Sequence, residues 1–264
     1  MKILVIHGSM RKGNTYALTK KITERLSAMP EVELNEIFVS DLDLPFCRSC
    51  HVCFEKGEEH CPHFGIIKGV RDAFLESDGV ILNGVAYMWA LNAAMKNLLD
   101  HFSYRFHRPA FFGKKGMVVS TAAGVGEKGV AKYLKTVLGQ WGINGALIVT
   151  QNAKEREMQG GGEAAKAKAD AKFDRAAERF YRLIKSGKPL PPSVKNITVH
   201  NSFRVMSLSG FSGSEIDTRY WQQDGFRDRA YPVKAGPVYL IGAIVHGLVK
   251  FMVKIIGSIY EKRR

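Results

Sequence analysis

Four cysteines, Cys47, Cys50, Cys53 and Cys61, fall within 15 residues at the spacing Cys-x2-Cys-x2-Cys-x7-Cys. Thiolates are soft ligands, and three thiols on a short loop with a fourth slightly downstream can wrap a cubane iron–sulfur cluster. His51, His60 and His63 stand among them, so a tetrahedral zinc site is a second chemistry open to the same stretch. A loop that keeps its thiols without a metal is the third. Structural disulfides are not expected. The chain opens Met1-Lys-Ile-Leu-Val-Ile-His-Gly8, a short apolar run entering a Gly/Ser turn, which reads as a buried strand rather than a signal peptide. The expectation is a cytoplasmic protein in a reducing compartment.

A second chemistry-bearing stretch follows that first strand. Gly8-Ser-Met-Arg-Lys-Gly-Asn-Thr15 places hydroxyls, glycines and two cations where a helix amino terminus would point its free N–H groups, an arrangement suited to a phosphate dianion. Ser9, Asn14 and Thr15 can donate side-chain hydrogen bonds, Gly13 permits close backbone approach, and Arg11 and Lys12 add charge at the mouth. The loop is neither the Gly-x-x-x-x-Gly-Lys-Ser/Thr phosphate loop nor a full Gly-x-Gly-x-x-Gly fingerprint, so a mononucleotide phosphate suits it better than a triphosphate or a dinucleotide. Plain turn chemistry would also use these residue types.

The elements that must position these residues alternate. Short apolar runs at Ile3–Ile6, Val32–Val39, Gly79–Leu82, Met117–Ser120 and Ala146–Val149 read as strands. Segments at Asn14–Met29, Ile66–Glu76, Leu91–Phe102 and Glu127–Gly139 have helical spacing. Strand–helix alternation predicts a doubly wound parallel sheet with right-handed crossovers. Glu163–Ser186 reads as one long amphipathic helix, with Phe173, Ala177, Phe180 and Leu183 on its apolar stripe, and the Gly- and Pro-rich stretch 187–193 ends it.

The order and content of these pieces resemble the NADPH-dependent FMN reductase group of the flavodoxin-like superfamily. The similarity lies in the stretch Ile3–Thr15, in Gly79–Asp100 with Tyr87 and Met95-Lys-Asn-Leu-Leu-Asp100, and in Phe112–Gly126. Met10 stands where that group usually has proline, and Gly84-Val85-Ala86-Tyr87 stands where it often has Ser-Pro-Val-Tyr. The resemblance implies a flavodoxin-like α/β fold: a five-stranded parallel sheet in the order 2-1-3-4-5, with FMN at the carboxyl ends of its strands. It implies that Ser9, Arg11, Lys12, Gly13, Asn14 and Thr15 hold the FMN phosphate. Gly84, Val85, Ala86, Tyr87, Met88 and Trp89, with Thr121, Ala122, Ala123, Gly124 and Gly126, would then border the flavin ring. The cysteine spacing is similar to that of the iron–sulfur flavoproteins of this fold, which implies a 4Fe-4S cluster on Cys47, Cys50, Cys53 and Cys61. Electrons would pass from NADH or NADPH through FMN to a quinone, a small oxidant or a redox protein. Tyr87, Trp89 and His101 would line the acceptor pocket, and no side chain is nominated as acid or base because the cofactor carries the chemistry.

With 264 residues the chain exceeds one such domain, and the division expected is a flavin domain over 1–187, carrying a Cys-rich loop at 41–64, and a mainly helical, basic extension over 188–264. The net charge is +14, and residues 151–264 supply 21 Lys/Arg against 11 Asp/Glu. No nucleic-acid module accompanies this charge. Residues 237–260 form an apolar stretch in which His246, Lys250, Lys254 and Ser258 fall four apart, predicting a helix with one narrow polar stripe. Packing in a homo-oligomer is the use expected of it, with peripheral membrane contact the alternative. A non-catalytic flavodoxin-type electron carrier is the competing functional class. The segment 197–236 has no legible role.

Overall fold

A computed structural model describes residues 1–155, 162–210, 213–226, 231–233 and 238–261. In chain order the elements are β1 Lys2–His7, α1 Asn14–Ser27, β2 Glu33–Phe38, the short α2 Val52–Glu55, α3 Phe64–Glu76, β3 Gly79–Tyr87, β4 Ala90–Leu91 and α4 Ala93–His101. They continue with β5 Lys115–Thr121, α5 Glu127–Gln140, β6 Leu147–Gln151, α6 Glu163–Lys185, α7 Val194–Leu208, α8 Glu215–Gln222 and α9 Val238–Glu261. Five parallel strands run in the order β2-β1-β3-β5-β6, and the two-residue β4 pairs antiparallel with β3. Counting only the parallel strands, this is the expected 2-1-3-4-5 sheet. β3 runs five residues further than its apolar run suggested.

The period-two alternation of the strands divides the core into two layers. Leu4, Ile6, Val80, Leu82 and Val118 face α3, α4 and α5, where Val70, Phe74, Leu98, Phe102, Leu134 and Trp141 meet them. Ile3, Val5, Ile81, Met117, Val119 and Val149 face the other way, against Leu18, Ile22 and Leu26 of α1 and Phe173, Ala177 and Phe180 of α6. Each fully buried large side chain contributes about 1.5–3 kcal/mol. Three of the four residues expected on the α6 stripe are in this layer, while Leu183 is only half-buried.

Of the described residues beyond 188, α7 packs against α5 of the sheet's flanking layer. α7 is capped by Ser193, whose Oγ accepts the Asn196 N–H at 3.1 Å. Asn196 accepts from Gln140 at 3.1 Å and donates to Asn144 at 3.2 Å, which seats α7 on the end of α5. α8 is capped by Ser214, and α9 packs along α7. Among the described residues no helix is long and apolar enough to cross a membrane.

Candidate functional site

The loops leaving β1, β3 and β5 lie side by side at the carboxyl edge of the sheet, where ligands of open α/β sheets bind. Buried side chains tie them together. Asn83, in β3 and fully buried, accepts the Gly8 N–H at 2.9 Å and donates to His7 Nδ1 at 2.8 Å and to Thr19 Oγ1 at 3.1 Å. Since His7 Nδ1 accepts, the ring proton sits on Nε2 and is donated to Glu36 at 2.6 Å. Burial holds the His7 pKa below its ordinary value despite the Glu36 carboxylate. Asn92 Nδ2 donates to the Gly8 carbonyl at 2.6 Å, and the Thr15 and Thr121 hydroxyls share a 2.6 Å bond. The strand-one, strand-three and strand-five loops are thus one bonded unit. Gly8 is required by this closeness, because a Cβ there would lie 2.5 Å from the Asn83 carbonyl oxygen.

Of the residues expected to hold a phosphate, Gly13 caps α1 with no side-chain hydrogen bond, which leaves the first-turn N–H groups to an outside acceptor. Ser9 and Gly13 are half-buried, Arg11, Lys12 and Asn14 are exposed, and Thr15 is buried. Lys12 Nζ lies 4.8 Å from the Phe38 ring centre, toward β2.

In the second loop Gly84 and Ala86 are buried and Val85 half-buried, while Tyr87, Met88 and Trp89 are exposed. β3 and β4 form a hairpin whose two turn residues, Met88 and Trp89, both have positive φ, 48° and 65°. Such turns favour Asn-Gly, and bulky residues there are strained. The third loop has Thr121 and Ala122 buried and Ala123 and Gly124 exposed. Gly126 has φ 108° and caps α5, and a Cβ on it would come within 3.3 Å of Trp89 Cα, so the second and third loops touch.

All four cysteines line one cavity of about 420 Å³, with Arg48, His51, His63, Lys96 and His101 also in its wall. Ser49 and His51, at φ 50° and 61°, wind the loop between the first three thiols. One face of α4 pins the loop: Asn97 accepts the Cys47 N–H at 3.0 Å and donates to the carbonyls of Leu44 and Pro45, and His101 Nε2 donates to the Pro45 carbonyl at 3.0 Å. These two residues are four apart, one turn of helix. Burial, then the neighbouring Cys61, pushes the Cys53 thiol up to about 11, so a cation is needed to make it a thiolate near neutral pH. Cys61, His63 and His101 offer ligand atoms all within 4.8 Å of one another. His101 Nδ1 is buried and has no hydrogen-bond partner among the described residues. His101 therefore belongs to the wall of the thiol cavity.

A buried ion network holds the far side of this loop. Arg108 donates to the Cys53 carbonyl at 2.6 Å, pairs with Glu58 at 3.4 Å and pairs with Asp217 of α8. Arg105 pairs with Glu58 at 3.1 Å, and His107 with Asp217 at 2.8 Å. Ser214 donates to the Phe54 carbonyl at 2.8 Å, and Tyr220 donates to the Pro109 carbonyl. α8 and its cap, within the segment without a legible role in the sequence, are thus a brace on the thiol loop. His7, Asn83, Asn92, Asn97, Arg108 and Asp217 were all missed by sequence reasoning. The one readable signal was the Asn97/His101 pair on a helix face.

Residues 1–154 match the family described as NADPH-dependent FMN reductase. An iron-sulfur flavoprotein of Clostridioides difficile is 25% identical over 237 residues, covering 85% of this chain and 99% of the relative. An azoreductase structure from Bacillus anthracis superimposes with a TM-score of 0.56 at 15% identity, covering 68% of this chain and all of the other. An apo NADH:FMN oxidoreductase structure does so with a TM-score of 0.51 at 20% identity, covering 68% and 87%.

Proposed function

This chain belongs to the NADPH-dependent FMN reductase family and is an NAD(P)H-dependent flavin oxidoreductase, and from that premise we propose a site, an occupant for the thiol cavity and a route for electrons. The FMN phosphate sits on Ser9, Arg11, Gly13, Asn14 and Thr15, at the uncapped start of α1. The ring lies against Gly84–Trp89 and Thr121–Gly126. The observation that supports this reading is the bonded unit made by Asn83, Asn92 and the Thr15–Thr121 pair, which presents three loops as one preorganised edge. Bound FMN supplies hydride acceptance and stepwise electron release. The protein's own residues orient it: backbone N–H groups hold the phosphate, and the strained Met88–Trp89 turn presents Tyr87 and Trp89 where nicotinamide and acceptor exchange.

Replacing Met88-Trp89 by Asn-Gly separates these roles. Relief of two positive-φ residues should stabilise the flavin-free protein by about 1–2 kcal/mol in urea unfolding. The same change should weaken FMN binding in a fluorescence titration. A variant that gains stability and keeps full flavin affinity removes the hairpin from the site.

The four thiols of the cavity, we further propose, hold a 4Fe-4S cluster, which suits a set of four soft donors and supplies one-electron transfer to a redox protein or small oxidant. A second reading is favoured by Cys61, His63 and His101: a borderline N/S donor trio suited to zinc, with His101 oriented by its Nε2–H bond to Pro45 as metal-bound histidines are. Iron, acid-labile sulfide and zinc measured on anaerobically purified protein decide between them. Iron and sulfide lost in Cys50→Ser but kept in His101→Ala support the cluster. About one zinc per chain, lost in His101→Ala, supports the trio. Protein free of both metals leaves the FMN reductase reading standing and removes the cavity as a metal centre.

A further inference from the structure

α9 is apolar on two adjoining sides, one turned inward and one outward. Its inner side carries Val245, His246, Val249 and Val253, all half-buried, with the His246 Nδ1 bonded to Arg204 of α7 at 2.6 Å. That bond sets the helix's rotation. The outward side then presents Ile244, Leu248, Phe251 and Met252, exposed by 65, 59, 64 and 56%. Their spacing of four, three and one keeps them on a single stripe about 100° wide. Lys250 and Lys254 are exposed and lie to one flank of it.

Four large apolar side chains in a continuous stripe need a cover. The charges around the stripe select among covers. Between residues 238 and 260 the sequence has no Asp or Glu, and Glu261 is followed by Lys262-Arg263-Arg264. A second copy of the same face would bring two more lysines and no carboxylate to pair with them, on a chain already at +14. Anionic lipid headgroups supply the missing negative charge, and the acyl boundary receives the stripe. Lys250 and Lys254 sit in the middle of the helix, which suits a helix lying in the interface rather than crossing it.

We propose that α9 is an interfacial anchor that docks the protein on an anionic membrane surface, its Ile244–Leu248–Phe251–Met252 stripe inserted and Lys250 and Lys254 against the headgroups. This proposal does not rest on what fills the thiol cavity. It would bring the flavin edge to a compartment where lipid-soluble acceptors are concentrated.

The test uses full-length, flavin-loaded protein and vesicles of phosphatidylcholine with or without phosphatidylglycerol. Expected is cosedimentation with the anionic vesicles only, falling as salt is added. Lys250→Gln with Lys254→Gln should lower the partition coefficient roughly thirtyfold at low salt, about fivefold per charge. Phe251→Glu should abolish binding, while FMN content and NADH oxidation in solution stay at the parent level. No binding of the parent to anionic vesicles at low salt overturns the proposal. So does a dimer in sedimentation velocity that Phe251→Glu dissociates while vesicle binding is unchanged, since the stripe is then covered by a second copy.

Discussion

Asn83→Ala is expected to lower the stability of the flavin-free protein by about 3 kcal/mol and to weaken FMN binding more than tenfold. Asn83 is fully buried, and its amide serves Gly8, His7 and Thr19 at once. Truncation leaves His7 Nδ1 without its donor and Thr19 without a partner on that side, and each buried group left unmatched costs roughly 1–3 kcal/mol. The Gly8 N–H keeps only its longer 3.3 Å bond to the Asn83 carbonyl. Affinity should fall because Gly8 begins the loop proposed to hold the phosphate, and a loop free to wander must be ordered again on binding. The parent protein should also show the His7 titration. A histidine whose folded pKa lies below its unfolded value binds protons better when unfolded, so its contribution is full above the ordinary value of 6.5 and is lost as pH falls below it. Urea unfolding and flavin titration, each repeated from neutral to mildly acidic pH, measure all three effects. A flavin affinity unchanged in Asn83→Ala would separate this network from the cofactor edge.

That same residue shows why part of the site was hidden in the sequence. The apolar runs Ile3–Ile6 and Met117–Ser120 located their strands because hydrophobic content and strand burial coincide there. In β3 the run stops at Leu82, and Asn83-Gly84 reads as a strand end, yet pairing with β5 continues to Val85, and with β4 to Tyr87, because a buried polar side chain can be satisfied by partners 64 and 76 residues away in sequence. No local pattern reports such partners. The 88–89 turn was equally opaque, since its residues are the opposite of those a two-residue hairpin favours. α7 failed for another reason: His200, Asn201, Arg204 and Ser207 are buried on it, so no clean apolar stripe marks the face turned to the core. The thiol spacing, in contrast, was fully legible, and the cavity gathers those four cysteines. What the spacing could not give is the company they keep, because His101 reaches them from a helix 40 residues downstream of Cys61.

The brace between α8 and the thiol loop should be the most sensitive point of the fold outside the sheet. Asp217 and Arg108 are almost wholly buried, and removing the Asp217 carboxylate leaves Arg108 only that of Glu58, at 3.4 Å and shared with Arg105; breaking a buried pair costs about 3–5 kcal/mol. Asp217→Asn is therefore expected to lower the melting temperature by roughly 6–12 °C for a chain of this size. Burial alone would raise the Asp217 pKa, but hydrogen bonds from His107 and Arg108 outweigh it and hold the carboxyl below its ordinary value. A depressed carboxylate contributes fully above its unfolded pKa and loses that contribution as pH falls through the folded one. The parent should thus be stabilised by this pair at neutral pH and shed that stability below about pH 4, an acid limb that Asp217→Asn lacks. The structural consequence is local. Arg108 also holds the Cys53 carbonyl, so an arginine without Asp217 no longer fixes both α8 and the loop. Any metal bound by the cysteines should leave the variant faster under a chelator, with FMN content little changed, because the bonds of Asp217 and Arg108 run to the thiol loop and its neighbours. A variant that melts with the parent and holds its metal as long would show that α8 merely rests on the loop instead of holding it in shape.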